Sequence, residues 1–186
     1  MLDGAHAHVL DAALRGGVDV VQLRDKDLAD DELVRAAAPF RRACDAYGAL
    51  FILNDRPELV SACGADGVHV GQSDATPAEA RRVVGPDRLV GLSASSPDEL
   101  DAEPDYFGVG AVFGTPTKTD VVTGGLELVR VAARRLAVPW FAIGGIDLSN
   151  VAEVVEAGAP GVAVVRAIRD ADDPEEAARL LRLHVA

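Results

Sequence analysis

With 186 residues, 49% of them apolar, the chain is long enough for one domain with a sizeable core and too apolar to be disordered. A formal net charge of −12 excludes the clustered basic surface that nonspecific nucleic-acid binding needs, yet it allows a local cationic pocket for a small anion. No apolar run approaches the ~20 residues of a membrane helix, the N-terminus lacks a secretory pattern, and Cys44 and Cys63 are too few for a disulfide framework, so a cytoplasmic protein is expected.

The chain opens with a helical stretch ending in "LRGG". A strand follows, "VDVVQLR" (18–24), and then a long helical pattern with Leu33, Ala36, Phe40, Cys44 and Tyr47 on one face. Pro39 interrupts that pattern, and a proline inside a helix costs about 3 kcal/mol or more, so a kink or break is expected there. Further strands read as "ALFILN" (49–54), "GVHV" (67–70), "RLVGLS" (88–93) and "YFGVGAVF" (106–113). Between the last two, "SSPDELDAEP" allows barely one or two turns of helix. In "GLELVRVAARRL", Leu128, Val131 and Ala132 form an apolar stripe that runs into Arg135. "PWFAIGG" (139–145) and "GVAVVR" (161–166) are the last strands, separated by the helical "LSNVAEVVEAG".

Strands apolar on both faces and joined by helices imply a parallel sheet covered by helices. The phrases "LRGGVDVVQ", "ACGADGVHV" and "EAGAPGVAV" repeat one local plan: helix end, glycine, turn, strand. Seven strands in strict alternation with eight helical segments favour an α/β fold of the (β/α)8 TIM-barrel type, as a single domain over residues 1–186. The eighth strand, which would precede residue 4, is not evident, so the barrel reads as short of its first β-strand.

Barrel active sites lie at the C-terminal ends of the strands. Those ends carry Gln22, Arg24 and Lys26, then Asn54 and Asp55, then Gln72 and Asp74, then Ser93, then Thr115, Thr117 and Lys118, and finally "GGI" and "VRAI". Lys26 and Lys118 are the only lysines; every other basic residue is arginine. Asp55 and Asp74 suit Mg2+ held partly by substrate phosphates. Arg24, Lys26 and Lys118 face the same mouth, so cations and a metal together describe a diphosphate site. Gly144, Gly145 and the backbone after strand 161–166 occupy the place where barrels bind a phosphate on free N–H groups. Plainer readings stand beside these. Arg24 and Asp55 can pair across the rim, Asn54 can be a turn residue, and His69, facing away from Val68 and Val70, can be a satisfied polar group inside the barrel. The cysteines read as small buried hydrophobes, and His6, His8 and His184 as solvated.

"QLRDK", "LNDR", "GVHVGQSD", "GLSAS", "GVGAVFGTPTKTD", "FAIGGI" and "AGAPGVAVVRAI", in this order, resemble thiamine phosphate synthase over nearly the whole chain. The resemblance implies a (β/α)8 barrel and a transferase that joins 4-amino-5-hydroxymethyl-2-methylpyrimidine diphosphate to 4-methyl-5-(2-phosphoethyl)thiazole. It implies that Gln22, Arg24, Lys26, Asn54, Ser93 and Lys118 contact the pyrimidine diphosphate, with Lys26, Lys118 and Ser93 nearest the chemistry. It further implies that Asp55 and Asp74 hold Mg2+, and that Thr115, Thr117, Gly145 and the backbone at Val165 and Arg166 hold the thiazole phosphate. The partners are then small molecules, without nucleic acid or membrane, and a homo-oligomer is compatible with this. The chain departs from the family pattern in its absent first strand, in Arg166 where a serine is usual, and in the short segment before strand 106–113. Two other readings are a thiazole tautomerase of the sister group, which needs no diphosphate–Mg2+ site, and a non-catalytic phosphate-binding barrel.

Overall fold

A computed structural model describes residues 9–114 and 124–185. Its centre is one parallel sheet of seven strands in sequence order: β1 (Val20–Leu23), β2 (Leu50–Asn54), β3 (Gly67–Val70), β4 (Leu89–Ala94), β5 (Tyr106–Val109), β6 (Trp140–Ile143) and β7 (Val162–Ala163). Eight α-helices occur among the described residues: α1 (Leu10–Arg15), α2 (Asp30–Tyr47), α3 (Val60–Cys63), α4 (Pro77–Val84), α5 (Gly125–Arg135), α6 (Val151–Glu156), α7 (Arg166–Arg169) and α8 (Pro174–Val185). Each strand pairs only with its sequence neighbours, and β7 does not pair with β1 among the described residues. Among the described residues the architecture is therefore a seven-stranded, TIM-like α/β sheet, in which closure into an eight-stranded barrel is not seen. None of the described helices is long and apolar enough to cross a membrane.

Side chains alternate across each strand and sort the fold into two layers. Leu23, Phe51, Leu53, Val68, Val70, Val90, Leu92, Phe107 and Val109 join the core between sheet and helices. The opposite face carries Gln22, Asn54, His69, Ser93 and Tyr106 and encloses the interior. Towards the N-terminal ends of the strands this interior is apolar, with a cavity of about 150 Å3 lined in part by Val20, Ile52, Leu89, Tyr106 and Phe141. Cys44 and Cys63 are free thiols packed in the core, as their apolar contexts suggest; burial pushes the Cys44 thiol up to about 11, so it stays neutral.

Three expectations need adjusting. Helix α2 runs through Pro39 without a break. Its buried face is Leu33, Ala37, Phe40 and Cys44, whereas Tyr47 is exposed. Full burial of side chains such as Leu33 and Phe40 stabilises by about 1.5–3 kcal/mol each, which together outweighs one helix bond lost at the proline. Strand β5 ends at Val109 and not at residue 113. A Cβ on Gly110 would lie 1.9 Å from the Ile143 carbonyl oxygen, so the backbone there crowds β6 and leaves the regular ladder. Its hydrogen bonding continues through Val112 N–H to Ile143 O (3.0 Å) and Phe113 N–H to Gly144 O (3.0 Å). Strand β7 keeps only two paired residues, because its pairing is with β6 alone. The segment before β5 is a single 3-10 helix, Pro97–Asp101, as its length requires. Glycines of the repeated phrase do adopt left-handed backbone, at φ 66° for Gly64 and 104° for Gly158.

Candidate active site

The C-terminal rim is built from three tightly determined loops. After β2, Asp55 and Arg56 both have positive φ, 54° and 46°. For residues with a Cβ this costs about 1–2 kcal/mol each, so the surroundings must hold it. Asp55 N–H donates to His69 O (2.8 Å). The Arg56 guanidinium donates to Leu28 O (2.8 Å), Lys26 O (3.3 Å) and Asp30 Oδ1 (3.1 Å), tying the loop after β1 to the loop after β2. The outcome is that Lys26 Nζ lies 3.2 Å from Asp55 Oδ2.

The third loop, after β3, brings in the second carboxylate. Gly71 N–H donates to Asp74 Oδ2 (2.8 Å), closing a turn. Helix α4 then starts at once in a capping box, Thr76 N–H to Glu79 Oε2 (2.8 Å) and Glu79 N–H to Thr76 Oγ1 (3.3 Å), with Pro77 in the first turn. Asp74 reaches Asp55 by a side-chain hydrogen bond. Burial, then that bond, push Asp55 above the usual carboxylate range, while Lys26 pulls the other way. Burial would raise Asp74 too, but the Gly71 N–H, Asp55, Lys26 and Arg24 together hold it below that range. The pair is therefore asymmetric, with Asp55 holding its proton to higher pH than Asp74 does.

Arg24 acts on Asp74 through charge, and the ion pair of Asp55 is with Lys26. The rim pair of Arg24 with Asp55 is not formed. Gln22 points into the interior from β1, and its Oε1 is buried with no hydrogen-bond partner among the described residues. Ser93 lies on β4, where its carbonyl oxygen accepts from Gln72 Nε2 (2.7 Å) and its hydroxyl meets His69 Nε2 (2.9 Å). Asn54 ends β2 half-buried, in register with His69. On the other side of the mouth, Gly145 O accepts from Asn150 Nδ2 (2.9 Å), while Asn150 Oδ1 accepts from Asp147 N–H (2.9 Å). Val165 caps α7 and Arg166 begins it, exposed. Thr115, Thr117 and Lys118 lie outside the described residues.

The thiamine monophosphate synthase family model matches residues 2–168. The chain belongs to that family. It is 50% identical over 175 residues to a thiamine-phosphate synthase of Thermus thermophilus, covering 91% of this chain and 84% of that one. It is 49% identical over 169 residues to that of a Nostoc species, covering 89% of this chain and 48% of that one, so it spans about half the length of its cyanobacterial relatives. Among solved structures, the thiamine phosphate pyrophosphorylase of Pyrococcus furiosus superposes with a TM-score of 0.89 at 33% identity, over 96% of this chain and 88% of that one. A 3-hexulose-6-phosphate synthase of Salmonella typhimurium, at 18% identity and a TM-score of 0.69, shares the fold alone.

Residue reasoning points to Lys26, Asp55, Asp74 and Ser93, which the fold brings to the C-terminal ends of the strands, and it does not single out two further groups. Arg56 was visible only as part of "LNDR", and its task depends on a backbone conformation that sequence does not display. Tyr106 was read as the start of a strand, with nothing to show that its hydroxyl reaches a polar layer.

Proposed function

We propose that the chain condenses 4-amino-5-hydroxymethyl-2-methylpyrimidine diphosphate with 4-methyl-5-(2-phosphoethyl)thiazole, giving thiamine phosphate and pyrophosphate. The observation that carries this reading is the grouping of Lys26, Asp55 and Asp74 at one rim, a cation beside two carboxyls close enough to shift each other's ionisation in opposite directions. A thiazole tautomerase has no use for such a group.

The donor set fits a divalent cation. Two hard oxygen ligands, Asp55 raised by burial and by its neighbour and Asp74 lowered, would both be ionised against Mg2+ and leave its other positions for phosphate oxygens and water. Bound by Asp55 and Asp74, Mg2+ would neutralise charge on the departing pyrophosphate. Lys26 and Lys118 would face the same oxygens as compact charges on flexible stems, able to follow the leaving group. Gln22 Oε1 is an unpaired buried acceptor, and the pyrimidine's 4-amino group is a donor. That amino group feeds electrons to the exocyclic methylene, so the C–O bond can break before the thiazole nitrogen forms the new C–N bond. The residues then need only bind, orient and neutralise; no side chain has to act as nucleophile or strong base. Gly145 and the backbone at Val165–Arg166, with Thr115 and Thr117, would hold the thiazole phosphate. The metal role is tested by Asp74→Ala: the Mg2+ concentration for half-maximal turnover should rise and maximal turnover fall, with the fold intact by circular dichroism. Normal turnover at low Mg2+ would remove Asp74 from the metal site.

A further inference from the structure

Three lateral neighbours in the sheet set up an arrangement for which the binding roles above do not account. His69 on β3 is in register with Gly91 on β4, and Gly91 with Tyr106 on β5. A Cβ on Gly91 would sit 2.1 Å from Tyr106 Cζ and 2.5 Å from its hydroxyl, so only glycine lets the phenol cross β4. Across that gap Tyr106 OH meets His69 Nδ1 at 3.1 Å, with ring centroids 5.5 Å apart. On its other side His69 Nε2 meets Ser93 Oγ at 2.9 Å. Gly108 leaves room for the imidazole, since a Cβ there would lie 3.2 Å from His69 Cε1. The edge of Phe141 braces the Tyr106 ring at 6.0 Å.

From this geometry we propose that Tyr106 and His69 are positioning residues that fix the direction of the Ser93 hydroxyl, presenting it as a hydrogen-bond donor to the bound pyrimidine diphosphate. The inference rests on the function proposed above. The chain of three groups allows two proton orders. If Ser93 donated to Nε2, then Nδ1–H would donate to Tyr106, and the phenolic hydrogen would need another acceptor. Among the described residues the phenol has no second hydrogen-bond partner, and burying an unpaired hydroxyl hydrogen is costly. In the opposite order Tyr106 donates to Nδ1, Nε2–H donates to Ser93, and the serine hydrogen is left pointing towards the mouth, where a ligand acceptor can take it. That order leaves no buried hydrogen of the phenol or the imidazole unpaired. It requires a neutral imidazole, as befits a ring only 8% exposed and held between a phenol and a hydroxyl. Ser93 so held donates its hydrogen to a ligand oxygen or ring nitrogen.

The test has one arm that does not need activity. Two-dimensional 15N–1H correlation spectra of the intact chain at neutral pH should show His69 as the Nε2–H tautomer, with Nδ1–H gaining population in Tyr106→Phe. In steady-state assays Tyr106→Phe, which keeps the ring over Gly91, should lower kcat by about five- to tenfold, the scale of one lost hydrogen bond, with KM for the thiazole phosphate unchanged. In a Ser93→Ala background the same change should cost less than about twofold more, because the pair acts through one hydroxyl. An Nδ1–H tautomer in the wild type, an unchanged kcat in Tyr106→Phe, or an equal loss in both backgrounds would each overturn the relay. If the wild-type chain makes no thiamine phosphate, it is the functional reading that fails; the tautomer alone then decides the relay, upheld by Nε2–H and overturned by Nδ1–H.

Discussion

Asp55 and Arg56 show how single residues set the chemistry. Their left-handed backbone is unfavourable, and the three bonds of Arg56 restrain it. The strain aims the Asp55 carboxyl at Asp74 and Lys26. Lys118 tests the opposite side of the mouth: Lys118→Ala should slow the diphosphate step in single-turnover assays and leave affinity for the thiazole phosphate in place. A change confined to that affinity would move Lys118 out of the diphosphate site. His69 gives a pH prediction. Its folded pKa of about 4 lies below the usual histidine value of 6.5, so the unfolded chain binds the extra proton first. Stability from this residue is complete above pH 6.5 and is lost progressively as pH falls towards 4, by on the order of 3 kcal/mol in all. Urea unfolding of the wild type and of His69→Gln across that range should differ in slope; parallel pH dependences would contradict the burial argument. His69 was legible from alternation alone, because it faces away from Val68 and Val70. Its partner Tyr106 was not, since lateral register between strands decides the contact. Gly91 held the one available hint, as a glycine inside a strand marks a close approach.

At the scale of elements, the N-terminal ends of the strands repeat a device. Asp66, just before β3, accepts from Phe51 N–H (2.7 Å) and from Arg41 of α2 (2.8 Å). Asp105, just before β5, accepts from Val90 N–H (2.6 Å) and from Arg81 of α4. In each case a helix arginine and an aspartate clamp the start of the preceding strand, on the face opposite the active site, where barrels keep their stability. Asp105→Ala should therefore lower unfolding free energy by about 1.5–3 kcal/mol, the range for hydrogen bonds to charged groups, while kcat changes little. Equal losses of stability and turnover would show that the two faces are coupled. The elements themselves were legible wherever an apolar run was bounded by turn residues, as in β3 and β4. They were least legible where tertiary packing decides: burial overrides Pro39 in α2, and the crowding of Gly110 against Ile143 ends β5 early.

For the molecule as a whole, order along the chain carried more than any one motif. Strands read in sequence place their C-terminal ends at one rim, and the described polar residues at those ends do gather there. Closure of the barrel was beyond that reading and beyond the observed pairing, in which β1 and β7 each have one strand neighbour among the described residues. The proposed activity rests on membership of the thiamine monophosphate synthase family and on the Lys26–Asp55–Asp74 group. The direct measurement supplies the purified chain with both substrates across a range of Mg2+ concentrations and follows thiamine phosphate by fluorescence after oxidation, and pyrophosphate in parallel. The account predicts that both products form in equal amounts and only with divalent cation present. No product at any Mg2+ concentration, or equal turnover in a chelator, would contradict it.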